Sequence, residues 1–136
     1  MPWFAQLAVS TLLCAAVFAS PAAADTPKEF KDQEAIMEKF FKAYNKADAK
    51  GCFEDYVDVF KGMAEQLYPA LIKPHKEKYG DYKSHTFVKE GSVTADDITL
   101  LILQVEFDKD KKVKVGINFG KEGKAWKIQQ VTFGAP

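Results

Sequence analysis

Residues 98–107 read ITLLILQVEF, and after a short polar run residues 113–119 read VKVGINF. In both stretches one face is continuously apolar, at positions 101, 103, 105 and 107 and again at 113, 115, 117 and 119, which is the pattern of a β-strand with one buried face. Leu101 and Leu103, for example, share a face of the first stretch. The polar residues 108–111 predict a turn, so the two strands should pair as an antiparallel hairpin.

The predicted last strand, KAWKIQQVTF, contains a break in this alternation. Trp126 and Ile128 share one face, but the next apolar residue is Val131, which is displaced by one position. A β-bulge near Gln129 and Gln130 would keep all the apolar residues on the buried side. Without a bulge, Gln130 would point into the core and would need a hydrogen-bonding partner there.

The residues before the strands carry helical periodicity. A first helix is predicted over about 32–48, because its apolar residues recur at spacings of three and four. A second helix should follow over 53–67, and Pro69 fits the first turn of a third, shorter helix. Pro74 should kink or divide that third helix. The first strand is predicted over 82–89.

Helices followed by an antiparallel sheet with one apolar face predict an α+β fold, in which the N-terminal helices pack on a curved antiparallel sheet. The motifs are FFKAY at 40–44, GCF at 51–53, YGDYKS at 79–84 and WKIQQVTF at 126–133. With these motifs, residues 35–133 resemble the nuclear-transport-factor-2-like superfamily, and within it a secreted bacterial branch of unassigned function. The resemblance implies a cone-shaped fold. It leaves the function open, because this superfamily includes isomerases, dehydratases, binding subunits and trafficking factors.

The N-terminal segment 1–24 contains no Asp, Glu, Lys or Arg and ends in small residues. This pattern is typical of a secretory signal peptide, with cleavage between Ala24 and Asp25. We therefore expect a secreted or periplasmic bacterial protein, with a flexible leader over 25–31 and a single domain over 32–136. The alternative is that the apolar run is kept as an uncleaved membrane anchor.

The 19 basic residues, all lysine, balance 19 acidic residues, so the formal net charge is zero. Nucleic acids and anionic membranes attract proteins with a surplus of positive charge, so neither is an expected partner. After signal cleavage Cys52 would be the only cysteine, which excludes an internal disulfide. A lone thiol can be buried, reactive or used to link two chains, and burial is the usual case.

The titratable residues do not form a recognisable catalytic or metal-binding set. Glu106 is the clearest carboxylate on a strand, but it alternates with apolar residues and should face water. His75 lies among lysines and predicts a solvated helix face, while His85 shares a strand face with Lys83 and Phe87. A metal site needs several converging ligands. We therefore predict no catalytic residues, no metal and no cofactor.

Five residues could line the open end of the cone and form a pocket for a small apolar ligand: Tyr56, Phe60, Tyr82, Trp126 and Gln130. The sequence thus favours a secreted, non-enzymatic domain that binds a small apolar ligand or a partner protein. The alternative is an isomerase- or dehydratase-like enzyme with a carboxylate base in the cone. A homodimer through the outer sheet face, with a patch of Ile102, Phe87 and Val131, is a further possibility.

Overall fold

The computed structural model describes residues 25–134, so the predicted signal segment 1–24 lies outside the described residues. A short 3₁₀ turn at Lys28–Phe30 comes first. Five helices then precede the strands within this range: α1 (Lys31–Asn45), α2 (Ala49–Phe53), α3 (Asp58–Lys61), α4 (Ala64–Leu71) and α5 (Lys73–Tyr79). The strands are β1 (Tyr82–Phe87), β2 (Val93–Thr94), β3 (Ile98–Phe107), β4 (Val113–Glu122) and β5 (Ala125–Phe133). None of the helices within 25–134 has the length and hydrophobicity needed to cross a bilayer.

All five strands belong to one antiparallel sheet. Their order is β1-β3-β4-β5, and the short β2, which the sequence pattern did not reveal, pairs with β3. The alternation in β3 is confirmed, because Leu101, Leu103 and Val105 are fully buried while Gln104 and Glu106 are exposed. Helices on one face of an antiparallel sheet confirm the α+β class.

The predicted bulge in β5 is present. Asn118 pairs with Gln130 and the adjacent Phe119 pairs with Ile128, which leaves Gln129 as the extra residue. Ile128 and Phe133, on either side of the bulge, are both buried against the core, and Gln130 is exposed. The bulge thus brings both halves of the strand to the same side of the sheet.

The predicted continuous helix over 53–67 is wrong, because α2, α3 and α4 are separate. The reason lies in β5. The amide of Val57 donates to the carbonyl of Ile128 at 3.0 Å, and the amide of Ile128 donates to the carbonyl of Asp55 at 2.7 Å. These bonds pair the chain between α2 and α3 with the edge of the sheet, so its backbone groups are not available for helical bonds.

The prolines also differ in part from the prediction. Pro69 lies inside α4 instead of at the first turn of a helix. Pro74 lies at the start of α5, where its missing amide costs little. The chain therefore divides into two helices at Ile72, which was one of the two outcomes predicted for Pro74.

Helix α1 covers the inner face of the sheet and is held at both ends. Near its start, the amide nitrogen of Gln33 donates to the hydroxyl of Thr99 at 2.8 Å. At its end, Asn45 accepts from the backbone amide of Tyr82 at 2.8 Å and donates to the Tyr82 carbonyl at 3.0 Å. Four large side chains of α1 are buried between these ends: Met37, Phe40, Phe41 and Tyr44.

Two further expectations need correction. The leader over 25–31 is packed against the domain, because Thr26 and Phe30 are buried. The predicted dimerisation patch does not form on the outer face, because Phe87 and Val131 pair with inner-face residues of neighbouring strands. Ile102 does lie on the outer face but is buried, and its amide donates to the hydroxyl of Ser92 at 2.9 Å.

Candidate functional site

A cleft of about 380 Å³ lies between the helices α3–α5 and strand β5. Most of its lining is apolar, and the residues come from three separate stretches of the chain. The lining residues are Tyr56, Phe60, Ala70, Leu71, Ile72, His75, Gln129, Gln130 and Val131. The division of the chain at Ile72 and the bulge in β5 together shape this cleft, because each supplies part of its wall.

Several polar groups reach the cleft without partners. Only 3% of Tyr56 is exposed, and its hydroxyl forms no hydrogen bond within residues 25–134 but is not fully buried, so it is reached from the cleft. The side chains of the half-buried His75 and the exposed Gln130 likewise form no hydrogen bond within that range. Burial is the main cause that raises the pKa of Tyr56 far above its ordinary value, so the phenol stays protonated and can donate.

His75 is half-buried, so the predicted solvated helix face is wrong. Its ring stacks on Phe133 with the centroids 4.3 Å apart, because the end of β5 passes beneath α5. Burial, followed by the charge of Lys78, lowers the pKa of His75 below its ordinary value of 6.5. The imidazole is therefore neutral at neutral pH and offers one donor and one acceptor.

Of the five predicted ligand-binding residues, the structure brings Tyr56, Phe60 and Gln130 together in this cleft. Tyr82 does not line it, because its ring stacks on Phe41 with the centroids 4.5 Å apart. Trp126 also lies elsewhere, with the Lys121 ammonium 4.9 Å from its ring centroid.

Sequence reasoning missed Leu71 and His75 as cleft residues. Pro74 is the feature of the sequence that could have indicated them. It marks the break between α4 and α5, and Leu71 and His75 flank this break and line the cleft together with residues of β5.

The carboxylates do not enter the cleft. Glu106 is exposed on the outer face of the sheet, as predicted. No Asp or Glu is among the residues that line the cleft. Among the carboxyl groups described, those with a shifted pKa (Glu34, Glu54 and Asp108) all have it lowered. The arrangement therefore offers hydrogen bonds and apolar contacts but no carboxylate base.

A second polar cluster lies between α1 and β1. The Tyr82 hydroxyl contacts Nδ1 of His85 at 2.6 Å, and Nε2 of His85 contacts Glu34 at 2.7 Å. The Thr26 hydroxyl donates to the same carboxylate oxygen of Glu34. Glu38 stands one turn further along α1, and one ligand atom each of Glu34, Glu38 and His85 lies within 4.8 Å of the other two.

The ionisation states in this cluster follow from its surroundings. For Glu34, burial alone would raise the pKa, but hydrogen bonds from Thr26 and His85 and the charge of Lys31 outweigh it and lower the pKa. Burial, with smaller contributions from Glu38 and Glu34, raises the pKa of Tyr82 to about 12. Glu34 is thus a carboxylate and Tyr82 a neutral phenol at neutral pH.

Cys52 is buried in the core as a free thiol. Burial, followed by the charge of Asp48, raises its pKa to about 12. Since the thiolate is the reactive form, this cysteine is inert in the folded domain. Burial, the usual case among the three predicted alternatives, is confirmed.

No protein-family model matches this chain, and no curated protein matches it. Among solved structures, Bd1075 of Bdellovibrio bacteriovorus is similar with a TM-score of 0.46 and 18% sequence identity. The alignment covers 76% of this chain and 39% of that protein. The chain thus spans well under half of the relative, and this similarity assigns neither a family nor a function.

Proposed function

We propose that this protein is a non-enzymatic binding domain whose cleft between α3–α5 and β5 takes a small, mainly apolar ligand. The observation that carries this proposal is a mainly apolar cleft onto which the hydroxyl of buried Tyr56 and the half-buried ring of His75 open, neither of them hydrogen-bonded within residues 25–134. A cavity of about 380 Å³ falls within the ~300–1,000 Å³ that is usual for small-molecule pockets.

The lining also limits the chemistry of the ligand. Phe60, Leu71 and Val131 offer contact to an apolar body. The Tyr56 hydroxyl is a protonated donor, so the ligand should carry a hydrogen-bond acceptor at the buried end. Because no carboxylate lines the cleft, a cationic ligand would lose its hydration without gaining an opposite charge. An uncharged ligand with a carbonyl or hydroxyl group fits best.

The binding function is favoured over the alternative of an isomerase- or dehydratase-like enzyme. That enzyme would need a carboxylate base held in an apolar pocket, where burial raises its pKa. The cleft contains no such group, and Glu106 lies on the opposite face of the sheet.

A broader depression of about 800 Å³ near α2–α4 is lined by six charged or amide side chains: Asp48, Lys50, Glu54, Lys61, Glu65 and Gln66. Such a lining is typical of a solvated surface and offers an apolar ligand little contact.

A partner protein is the second occupant that the cleft could accept. Four large apolar side chains are exposed on α3, on α4 and on the turn between these helices: Val59, Phe60, Met63 and Leu71. An apolar side chain of a partner could enter the cleft while its backbone contacts this rim. The small-molecule proposal is preferred because the unpaired polar groups lie at the cleft itself.

The proposal extends to the fold family of the protein and to its location outside the cytoplasm. We propose that the domain is a nuclear-transport-factor-2-like cone, supported by its order of helices followed by a bulged antiparallel sheet. The uncharged segment 1–24 supports export to the periplasm or the medium. Mass spectrometry of the exported protein should find a chain that begins at Asp25, and a chain that retains Met1 would contradict cleavage.

The binding proposal can be tested with prodan (6-propionyl-2-dimethylaminonaphthalene), a fluorescent, uncharged apolar probe that carries a carbonyl group. We expect saturable binding at one site in the folded protein. Ala70→Phe fills the cleft from its exposed rim without disturbing the core, and should weaken binding by about tenfold or more. Ile98→Ala is the matched control, because Ile98 is 63% exposed on another part of the surface.

Three results decide this experiment. Loss of binding in Ala70→Phe with binding retained in Ile98→Ala supports the cleft. Equal binding by both variants and the unchanged protein would place the probe elsewhere and contradict the proposal. Absence of any saturable binding would favour the partner-protein alternative.

A further inference from the structure

We propose that Glu34, Glu38 and His85 form a binding site for a divalent transition-metal ion, with Zn²⁺ as its best-fitting occupant. The site lies between α1 and β1 and shares no residue with the cleft. The sequence pattern did not predict it, because His85 is 51 residues from Glu34 along the chain.

The backbone places the three ligands together. Glu34 and Glu38 are four residues apart on α1, so their side chains project from the same face of the helix. The two ends of α1 are tied to the sheet through the Gln33–Thr99 and Asn45–Tyr82 hydrogen bonds described above. This helix face is therefore held over the inward-pointing side of β1.

The distances are close to those that a metal requires. The three ligand atoms lie within 4.8 Å of one another, and Nε2 of His85 is 2.7 Å from Glu34. In a tetrahedral zinc site with bonds of about 2.0–2.2 Å, neighbouring ligand atoms are about 3.3–3.6 Å apart. A movement of the exposed Glu38 carboxylate by about 1 Å and a small separation of Glu34 from His85 would satisfy this geometry.

The partners around the ligands match those that usually surround a metal. Nδ1 of His85 contacts the Tyr82 hydroxyl, and the Glu34 carboxylate accepts from Thr26. Hydrogen bonds of this kind fix the ring orientation of a metal-binding histidine. Only 11% of the His85 side chain and 15% of the Glu34 side chain are exposed, so both ligands have already lost most of their hydration.

The hydrogen bonds of His85 can adapt to a metal. In the metal-free structure Nε2 faces the Glu34 carboxylate at 2.7 Å, and Nδ1 faces the Tyr82 hydroxyl at 2.6 Å. A metal takes the lone pair of Nε2 in place of the contact with Glu34. The ring then carries its proton on Nδ1, where it is donated to the Tyr82 oxygen.

The charges and the available space also favour a cation. Two carboxylates bring two negative charges, and Lys31 lies 3.4 Å from Glu34 as a salt-bridge partner with more than half of its side chain exposed. Lys31 can therefore move into solvent when the metal binds. A cavity of about 160 Å³ beside Glu34 and His85 leaves room for the water molecules that complete the coordination.

The chemical type of the three ligand atoms favours some metal ions over others. One imidazole nitrogen and two carboxylate oxygens suit Zn²⁺ and Co²⁺, whereas Ca²⁺ and Mg²⁺ prefer sites made only of oxygen. We therefore expect binding of Zn²⁺ and Co²⁺ with little competition from Mg²⁺.

The test is calorimetric titration of the purified, metal-free protein with Zn²⁺ alone. We expect one equivalent to bind. Glu38→Gln removes a ligand but leaves the Glu34–His85 contact in place, so this variant should fold and should bind at least about tenfold more weakly. His75→Gln, which removes the other histidine, is the matched control and should bind as the unchanged protein does.

A second measurement separates metal binding from a purely structural role of the cluster. Nitrogen NMR of the His85 ring should show a protonated Nε2 facing Glu34 in the metal-free protein and an unprotonated, metal-bound Nε2 after addition of Zn²⁺. Tyr82→Phe keeps the stacking on Phe41 but removes the hydroxyl, and should weaken Zn²⁺ binding by about tenfold. Equal Zn²⁺ affinity in Glu38→Gln and the unchanged protein, an unaltered Nε2 signal of His85, or no binding of Zn²⁺ would each overturn the proposal.

Discussion

The β5 bulge leads to a quantitative prediction for deletion of Gln129. This residue is the extra one, since Asn118 pairs with Gln130 and Phe119 pairs with Ile128. Without it, β5 would run in regular alternation, and its two halves could no longer face the core together. One half must turn to solvent.

The cost follows from the residues that would be exposed. If the first half keeps its register, Val131 and Phe133 turn outward, although Phe133 is only 9% exposed and contacts four aromatic rings and His75. Exposing a fully buried side chain of this size costs about 1.5–3 kcal/mol, and the half-buried Val131 adds less, so the loss is about 2–4 kcal/mol. If the second half keeps its register, the half-buried Trp126 and the buried Ile128 turn outward at a similar cost. The deletion should therefore remove a substantial part of the ~5–15 kcal/mol that stabilises a typical domain.

The assay is urea unfolding followed by circular dichroism. Gln129→Ala is the control, because it keeps the number of residues and changes only an exposed side chain; we expect the free energy of unfolding to change by less than about 0.5 kcal/mol. A deletion variant that unfolds within about 1 kcal/mol of the unchanged protein, with the same dependence on urea, would refute the reasoning that the bulge fixes both halves of β5.

Three further predictions concern buried polar groups. Cys52 should not react with a thiol reagent at about pH 8 until the protein is unfolded, because burial raises its pKa to about 12 and leaves almost no thiolate. Thr99→Val should lower the free energy of unfolding by about 1–3 kcal/mol, because it removes the partner of the buried Gln33 amide; addition of Gln33→Met should restore most of this loss in urea unfolding. The stability should fall as the pH drops below 6.5, because the unfolded chain then binds a proton that the half-buried His75 of the folded protein takes up less readily; His75→Gln should flatten this part of the stability curve.

The sheet could be predicted from the sequence because its signal is local. Alternation over residues 98–107 identifies both the strand and its buried face, and the observed strand has the same bounds. The bulge near Gln129 could also be predicted, since one extra residue in a strand shifts its apolar pattern by one position. The two-residue strand β2 is too short to produce a periodic signal.

The helices after α1 could not be predicted as they are, because a distant strand interrupts them. The periodicity of residues 53–67 favours one helix, but the hydrogen bonds of Asp55 and Val57 to Ile128 give these backbone groups another partner. Tertiary pairing of this kind outweighs helix propensity, which is a weak preference for each residue.

The candidate sites, too, depend on contacts between distant segments, which a local sequence pattern does not show. Tyr56, Phe60 and Gln130 could be proposed as ligand-binding residues because each is an aromatic or amide side chain next to a core position. His75 could not, because its neighbours in sequence are lysines and its burial comes from Phe133, at the other end of the domain sequence. Convergence of residues from distant segments is a property of the fold and has no local pattern.

The way this fold satisfies its polar groups is itself an argument for the cleft. Within residues 25–134, only Oε1 of Gln33 is a fully buried side-chain polar atom without a hydrogen bond. Asn45 is fully used in joining α1 to β1, and His85 has partners on both ring nitrogens. The Tyr56 hydroxyl and the half-buried His75 ring are not among the fully buried atoms without a partner, so both are reached from the cleft. Polar groups that form no hydrogen bond within the domain and open into one apolar cleft are available to a ligand.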